Sequence, residues 1–196
     1  MAVDAKTVAQ LREMTGAGIM DAKKALDEAG GDLTKATEIL RKKGIVKAAG
    51  KAERETKEGR VWSYVHANGK VGAMIEVLCE TDFVARNEAF VELCKELAMH
   101  VCAADPLYVR REQVSPEIIE KEKQIYREET ANQAKPENIV EKIVEGKLNK
   151  YFSETCLLEQ TFIKDDTKTI EELIKEKIAL LGENIQVNRF SRFNIG

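Results

Sequence analysis

The dipeptide Asn68-Gly69, set between two runs of strand-type patterning, constrains this chain more than any other feature. Asn-Gly is the strongest short-range signal for a two-residue hairpin loop, and a loop of fixed length fixes the register of the strands it joins. Arg60 to His66 carries the alternation of one strand, and Val71 to Cys79 follows as a β-rich run. With Ala67 facing Lys70, Tyr64 pairs with Ala73 and Trp62 with Ile75. One face then carries Trp62, Tyr64, Val71, Ala73, Ile75, Val77 and Cys79, and helices are expected to pack on it.

On either side of the hairpin the apolar period is helical. Residues 1–44 read as three short helices. Asp4 caps the first, with Val8 and Leu11 inward, and Thr15-Gly16-Ala17-Gly18 breaks it. Ile19, Ala22, Leu26 and Ala29 mark the second. Gly30-Gly31-Asp32 ends it and caps the third, whose Leu33, Ala36, Ile39 and Leu40 run toward Gly44. The charged segment 46–58 reads as a linker helix, with Gly50 as its weak point. Gly44 to Lys51 is not a phosphate-binding loop, because the glycine spacing is one residue too long and Ala52 stands where Ser or Thr is needed. Beyond the hairpin, Asn87 caps a helix to about Ala104, and Ser115-Pro116-Glu117 opens another to about Asn132. A further helix follows Pro136. After a short polar stretch, Thr169-Ile170-Glu171-Glu172 has the capping-box pattern for a helix ending at Gly182. Ile185 to Phe193 reads as a terminal strand whose alternation slips at Asn188-Arg189, the mark of a bulge. Added to the hairpin, it completes a three-stranded antiparallel sheet. The organisation expected is an α+β chain: a helical domain over 1–45, a linker over 46–58 and a core over 59–196.

Composition limits the chemistry. Hydrophobic residues make up 43% and charged residues 33%, enough for a core under a well-hydrated surface. Lys+Arg 31 against Asp+Glu 34 leaves a formal net charge of -3, so direct nucleic-acid binding is not expected. The cluster Arg41-Lys42-Lys43 with Lys47 and Lys51 reads as cations opposing a helix dipole and a solvated linker. No apolar run reaches the ~20 residues of a membrane helix and the N-terminus lacks the pattern of a secretory signal, so a cytoplasmic location is expected. Cys79, Cys94, Cys102 and Cys156 form no C-x-x-C pair and read as reduced thiols, the first three within apolar periodic runs. Cys94 and Cys102 would stand ~12 Å apart along one helix, too far to bridge. The histidines, His66 and His100, lack partners spaced as a catalytic motif, and no zinc or nucleotide-loop pattern occurs. No catalytic residue, metal or cofactor is therefore expected.

One segment resists a purely scaffolding interpretation. Glu80-Thr81-Asp82-Phe83-Val84-Ala85-Arg86-Asn87 leaves a strand and enters a helix, so its tip should project as a tight turn. Either Asp82 caps a helical turn and Phe83 folds back into the core, or Phe83 points outward. In the second case, burial in a partner would contribute roughly 1.5 to 3 kcal/mol.

Two stretches carry a family resemblance: Leu11-Arg12-Glu13-Met14-Thr15-Gly16-Ala17-Gly18-Ile19-Met20-Asp21-Ala22-Lys23-Lys24-Ala25-Leu26, and Glu76-Val77-Leu78-Cys79-Glu80-Thr81-Asp82-Phe83-Val84-Ala85-Arg86. Both resemble elongation factor Ts, as do Leu157-Leu158-Glu159-Gln160 with Phe162 and Gly182-Glu183-Asn184-Ile185. The resemblance implies an N-terminal ubiquitin-associated-like domain, an α+β dimerisation core, and guanine-nucleotide exchange on elongation factor Tu. It implies that Thr81, Asp82, Phe83 and Val84 dislodge magnesium from the partner's nucleotide site, with Phe83 inserted between two partner helices, and that Arg12, Met20 and Lys23 grip its GTPase domain. Leu78 departs from the family, which usually has asparagine there. The chain resembles the short form, without room for the second core subdomain and coiled-coil insertion of longer members, which implies a homodimer; the terminal strand holds no cysteine to cross-link it. Two rivals are a ubiquitin-associated-like adaptor working through residues 1–44 and an RNA-binding accessory protein using the basic linker.

Overall fold

The computed structural model describes residues 5–15, 19–40, 54–131 and 136–195. Strands β1 (Glu58–Val65) and β2 (Val71–Cys79) pair antiparallel with Tyr64 opposite Ala73 and Trp62 opposite Ile75, the register expected from the turn. The loop is built differently from a two-residue one. The Gly69 N–H donates to the His66 carbonyl, and the His66 N–H reaches the Val71 carbonyl, both at 2.8 Å, so the loop spans Ala67 to Lys70. Only Gly69 takes a left-handed backbone, φ +67, whereas a two-residue type I′ loop requires positive φ at both central positions. Asn68 uses its side chain instead, accepting the Lys70 N–H at 2.9 Å. The register survives because both loops close on the same pairs.

Strand β5 (Gln186–Asn194) pairs antiparallel with the other edge of β2, giving the order β1-β2-β5. Glu76 faces Arg189 while Val77 faces Val187, so Asn188 is the bulged residue and the slip in alternation is accounted for. Ala73, Ile75, Val77 and Cys79 are buried on the inner face, with Trp62, Tyr64 and Val71 packed at its margin.

Against that face lies a helix labelled α5 below, Glu88–Ala104. It is preceded by α1 (Ala5–Thr15), α2 (Ile19–Glu28), α3 (33–40) and the single-turn α4 (Asp82–Ala85). Asn87 caps α5 by accepting the Ala89 N–H at 2.9 Å, and Phe90, Leu93, Cys94, Leu97, Ala98 and Val101 are fully buried beneath it. Helix α8 (Ile170–Leu181) opens with the expected capping box between Thr169 and Glu172 and stops at Gly182, whose φ of +81 admits glycine without strain. Its Ile170, Leu173, Ile174 and Ile178 complete the core.

Helices α6 (Pro116–Ala131) and α7 (Glu137–Thr155) lie antiparallel, linked by Arg127–Glu141 and Lys147–Glu129 ion pairs. Their base has its own apolar cluster of Val114, Phe152 and Cys156 with Ile118, Ile119 and Leu148. Arg111 forks onto the Glu159 carboxylate at 2.7 and 2.6 Å and lays its guanidinium over the Phe152 ring. The short polar stretch before α8, to which the sequence assigned no element, forms a ribbon, β3 (Thr161–Phe162) with β4 (Asp165–Thr169), which buries Phe162.

The N-terminal helices have a separate core of Val8, Leu11, Ala22, Ala25, Leu26 and Ala36, and they fit a ubiquitin-associated-like unit. Gly30 and Gly31 both take positive φ, and Asp32 caps α3 by accepting the Thr34 and Lys35 N–H groups at 2.9 and 3.1 Å. Asp4, Gly44, the basic cluster 41–51 and residues 46–53 of the expected linker lie outside the described residues. Residues 54–57 are not helical and Glu58 already opens β1, so a linker helix does not extend to residue 58.

Candidate functional site

The segment Thr81–Val84 emerges from the end of β2, the central strand, and forms the start of α4. Thr81, in extended backbone, is the N-cap; its Oγ1 accepts the Val84 N–H at 3.4 Å. This replaces the expected cap at Asp82, which sits one residue inside the helix. Asp82 instead meets Arg86 at 2.9 Å across one turn, with Arg86 largely in solvent and Asp82 partly so. Val84 packs against the core and Ala85 is buried, so one side of the turn is anchored. Phe83 lies on the other side and is 82% exposed, which resolves the alternative left open by the sequence in favour of the outward orientation.

The turn is held from several directions. The Glu183 carboxylate accepts the Glu80 N–H at 3.1 Å, the Thr81 N–H at 3.0 Å and the Thr81 hydroxyl at 2.6 Å. Glu80 returns the contact, its carboxylate accepting the Asn184 N–H at 2.6 Å and pairing with Arg54 at 3.5 Å. Arg60 Nε donates to the Ala85 carbonyl, and the Cys79 thiol to the Thr81 carbonyl at 3.2 Å. Leu78, half-buried between Gly59 and Gln186 in the sheet, provides no polar contact; the anchoring comes from Glu183. Sequence reasoning read Gly182 as a helix stop and Ile185 as a strand start, and reached Glu183 only as part of a resemblance. The contact between Glu183 and Thr81 spans 102 positions, which no local pattern announces.

Elsewhere the polar groups serve the fold. His100 is fully buried on α5, with Nε2 3.0 Å from Gln160 Oε1 and Nδ1 accepting the Ile163 N–H at 3.4 Å. That pattern assigns the ring as the neutral Nε2–H tautomer. Gln160 in turn donates to the carbonyls of Ala104 and Glu154. His66 is exposed beside Tyr64. The cysteines are free and buried, with burial pushing the thiol of Cys79 up to about 11 and that of Cys94 to about 12. Among the described residues no group of three or more His, Cys, Asp and Glu side chains could hold a metal ion, and no helix is long and apolar enough to cross a membrane.

Of the N-terminal residues singled out, Lys23 is exposed on α2. Arg12 lies on α1 and Met20 on α2, and their side chains are outside the described part of the structure. The structure brings Thr81 to Val84 together in one turn, and the N-terminal set remains a matter of sequence.

A projecting phenylalanine on a braced turn is suited to engaging another macromolecule. Comparison with known proteins gives a consistent picture. The family model described as Elongation factor TS matches residues 3–196. Proteins named elongation factor Ts are similar throughout: that of Thermotoga petrophila is 60% identical over 196 residues, covering 100% of this chain and 98% of its own. That of Thermosipho melanesiensis is 58% identical over 194 residues, 99% of each chain, and that of Geotalea daltonii 54% over 196 residues, 100% of this chain and 91% of its own.

Proposed function

This chain belongs to the elongation factor Ts family, and we propose on that footing that it is a guanine-nucleotide exchange factor for elongation factor Tu whose working element is the turn Thr81–Val84. The observation that carries the reading is the 82% exposure of Phe83 on a turn whose backbone is hydrogen-bonded on both sides. A large apolar side chain held in water is unfavourable in the free protein, and burying it in a partner contributes about 1.5–3 kcal/mol. A rigid mount means that little of this is lost to ordering on binding.

Exchange requires that the factor bind the nucleotide-free partner better than the nucleotide-bound one. Phe83 entering between partner helices supplies such a difference, because magnesium tolerates little departure from octahedral geometry and loses ligands when those helices shift. Asp82 brings a carboxylate alongside. Its pairing with Arg86 is a surface contact worth about 0–1 kcal/mol, so it is readily given up at an interface. No covalent bond is made or broken by this chain. Reciprocity then dictates that guanine nucleotide weakens the factor's hold, which releases it for another cycle.

Lys23, with Arg12 and Met20, forms the second contact, on the GTPase domain of the partner. A homodimer is part of the same reading, and its support is the outer face of the sheet. There Val61, Val65, Met74 and Phe193 are each at least half exposed, an apolar surface larger than scattered single residues. The site of action is the cytoplasm, where translation proceeds.

The test is the release of fluorescent GDP from purified elongation factor Tu. Phe83→Ala is expected to slow stimulated release about tenfold or more, from 1.4 kcal/mol per decade, without loss of fold. Full stimulation by a folded Phe83→Ala protein would remove the proposal.

A further inference from the structure

Glu183 belongs to neither stretch that the function accounts for, yet it makes the densest set of contacts to the exchange turn. It follows Gly182, the left-handed residue that ends α8, and precedes β5, so its backbone is fixed by a helix stop on one side and a sheet on the other. From there its carboxylate takes three hydrogen bonds from two successive residues: Oε2 from the Glu80 and Thr81 N–H groups, Oε1 from the Thr81 hydroxyl. The Thr81 hydroxyl is committed twice over, donating to Glu183 while accepting from Val84 N. Its rotamer, and with it the first turn of α4, is therefore set by a residue on a distant element. Phe83 sits between the capping atom and the residue capped.

We propose that Glu183 is a positioning residue for nucleotide exchange, acting through Thr81 to aim the Phe83 side chain at the partner. This rests on the reading of Thr81–Val84 as the exchange turn. Both oxygens accept, Oε2 from two backbone N–H groups and Oε1 from the Thr81 hydroxyl, and the negative charge strengthens all three bonds. An amide in its place loses the charge and meets the Thr81 hydroxyl with an N–H₂, which reverses that bond, leaves the hydroxyl hydrogen outside the brace and loosens the hold on Thr81. The reciprocal contact, Glu80 onto the Asn184 N–H, keeps the two segments docked when Glu183 is changed, so the defect should be one of aim and not of folding.

The experiment measures stimulated GDP release from elongation factor Tu against the concentration of exchange factor, separating the plateau rate from the half-saturating concentration. Glu183→Gln is expected to lower the plateau on the order of tenfold, because misplacing an acting group by about an ångström can cost about a hundredfold. The half-saturating concentration should change by less than about threefold, the apolar contact area being intact. Introduced into a Phe83→Ala background, Glu183→Gln should lower the plateau no further, since residues that act through one another are not additive. Thr81→Val, which removes the hydroxyl but keeps both backbone bonds, should give a smaller loss in the same direction, and Thr81→Ser should restore it.

A normal plateau for Glu183→Gln overturns the inference, as does an equal loss with and without Phe83, which is the behaviour of general destabilisation. If Glu183→Gln does not fold by circular dichroism, the Thr81→Val and Thr81→Ser pair decides by the same criteria. Were Phe83→Ala itself to leave exchange unchanged, the exchange-turn reading would fail. Loss at Phe83 with none at Glu183 or Thr81→Val defeats only the positioning role.

Discussion

His100 shows how a single buried ring converts acidity into instability. Desolvation holds its pKa below the ordinary value, with the hydrogen bond to Gln160 opposing that only in part. The unfolded chain therefore takes up a proton that the folded chain refuses. Stability is full above about pH 6.5 and falls as pH drops from there toward the depressed folded pKa, with a slope of at most about 1.4 kcal/mol per pH unit. Urea unfolding between about pH 7.5 and about pH 5.5 should show this slope, and His100→Gln should reduce it. The cysteines give a second expectation at the same scale. With the thiols of Cys79 and Cys94 raised to about 11 and about 12 and their atoms buried, alkylation at neutral pH should be slow in the native protein and fast in denaturant, as read by mass spectrometry. Phe83 lies at the other extreme, exposed where most aromatic side chains would be covered.

Among elements, β1 depends on one glycine. Gly59 has φ +152, and a Cβ placed there would lie 2.2 Å from the Val77 carbonyl oxygen, in the backbone of the paired strand. Gly59→Ala should cost about 1–3 kcal/mol through strain and lost pairing, seen as a lower urea midpoint. Thr169→Ala removes the cap of α8 and should cost about 1 kcal/mol by the same measurement. These caps were legible in the sequence because a cap and its donor are separated by two or three residues. The hairpin register was legible for a similar reason, although the turn that enforces it has Asn68 hydrogen bonding by its side chain and only Gly69 left-handed. The β3–β4 ribbon was not: Asp165 to Thr169 is polar and half-exposed, held by the Asp165 Asx turn to Thr167 and by the burial of its neighbour Phe162, with no apolar alternation to reveal it. The exchange turn was half legible. Its place between strand and helix could be read locally, but the direction of Phe83 depends on Thr81 as cap and on Glu183 as brace, and that brace exists only once α8 and β2 are folded together.

At the scale of the whole molecule, the sheet has one face covered by α5, on which α8 packs in turn, and the other lined by Val61, Val65, Met74 and Phe193. The Glu76–Arg189 ion pair crosses that outer face at 2.6 Å, and its hydrogen bond holds the Glu76 carboxyl below the usual carboxylate range. In the proposed dimer this face meets its copy. Phe193→Glu combined with Met74→Glu should then shift the protein to a monomer in sedimentation equilibrium, while the thermal transition of the isolated chain stays cooperative. Wild-type protein sedimenting as a monomer at micromolar concentration would count against that assembly.

The proposed exchange turn issues from β2, which alone among the three strands is hydrogen-bonded along both edges. A push on Phe83 is therefore carried along the axis of that strand, and loads the ladders to β1 and β5 in shear, many bonds at once. Mounted at the end of an edge strand, the same push would peel bonds one after another. In the proposed exchange complex the tip leans on a partner's helices while its own footing stays still, so the deformation falls on the other protein.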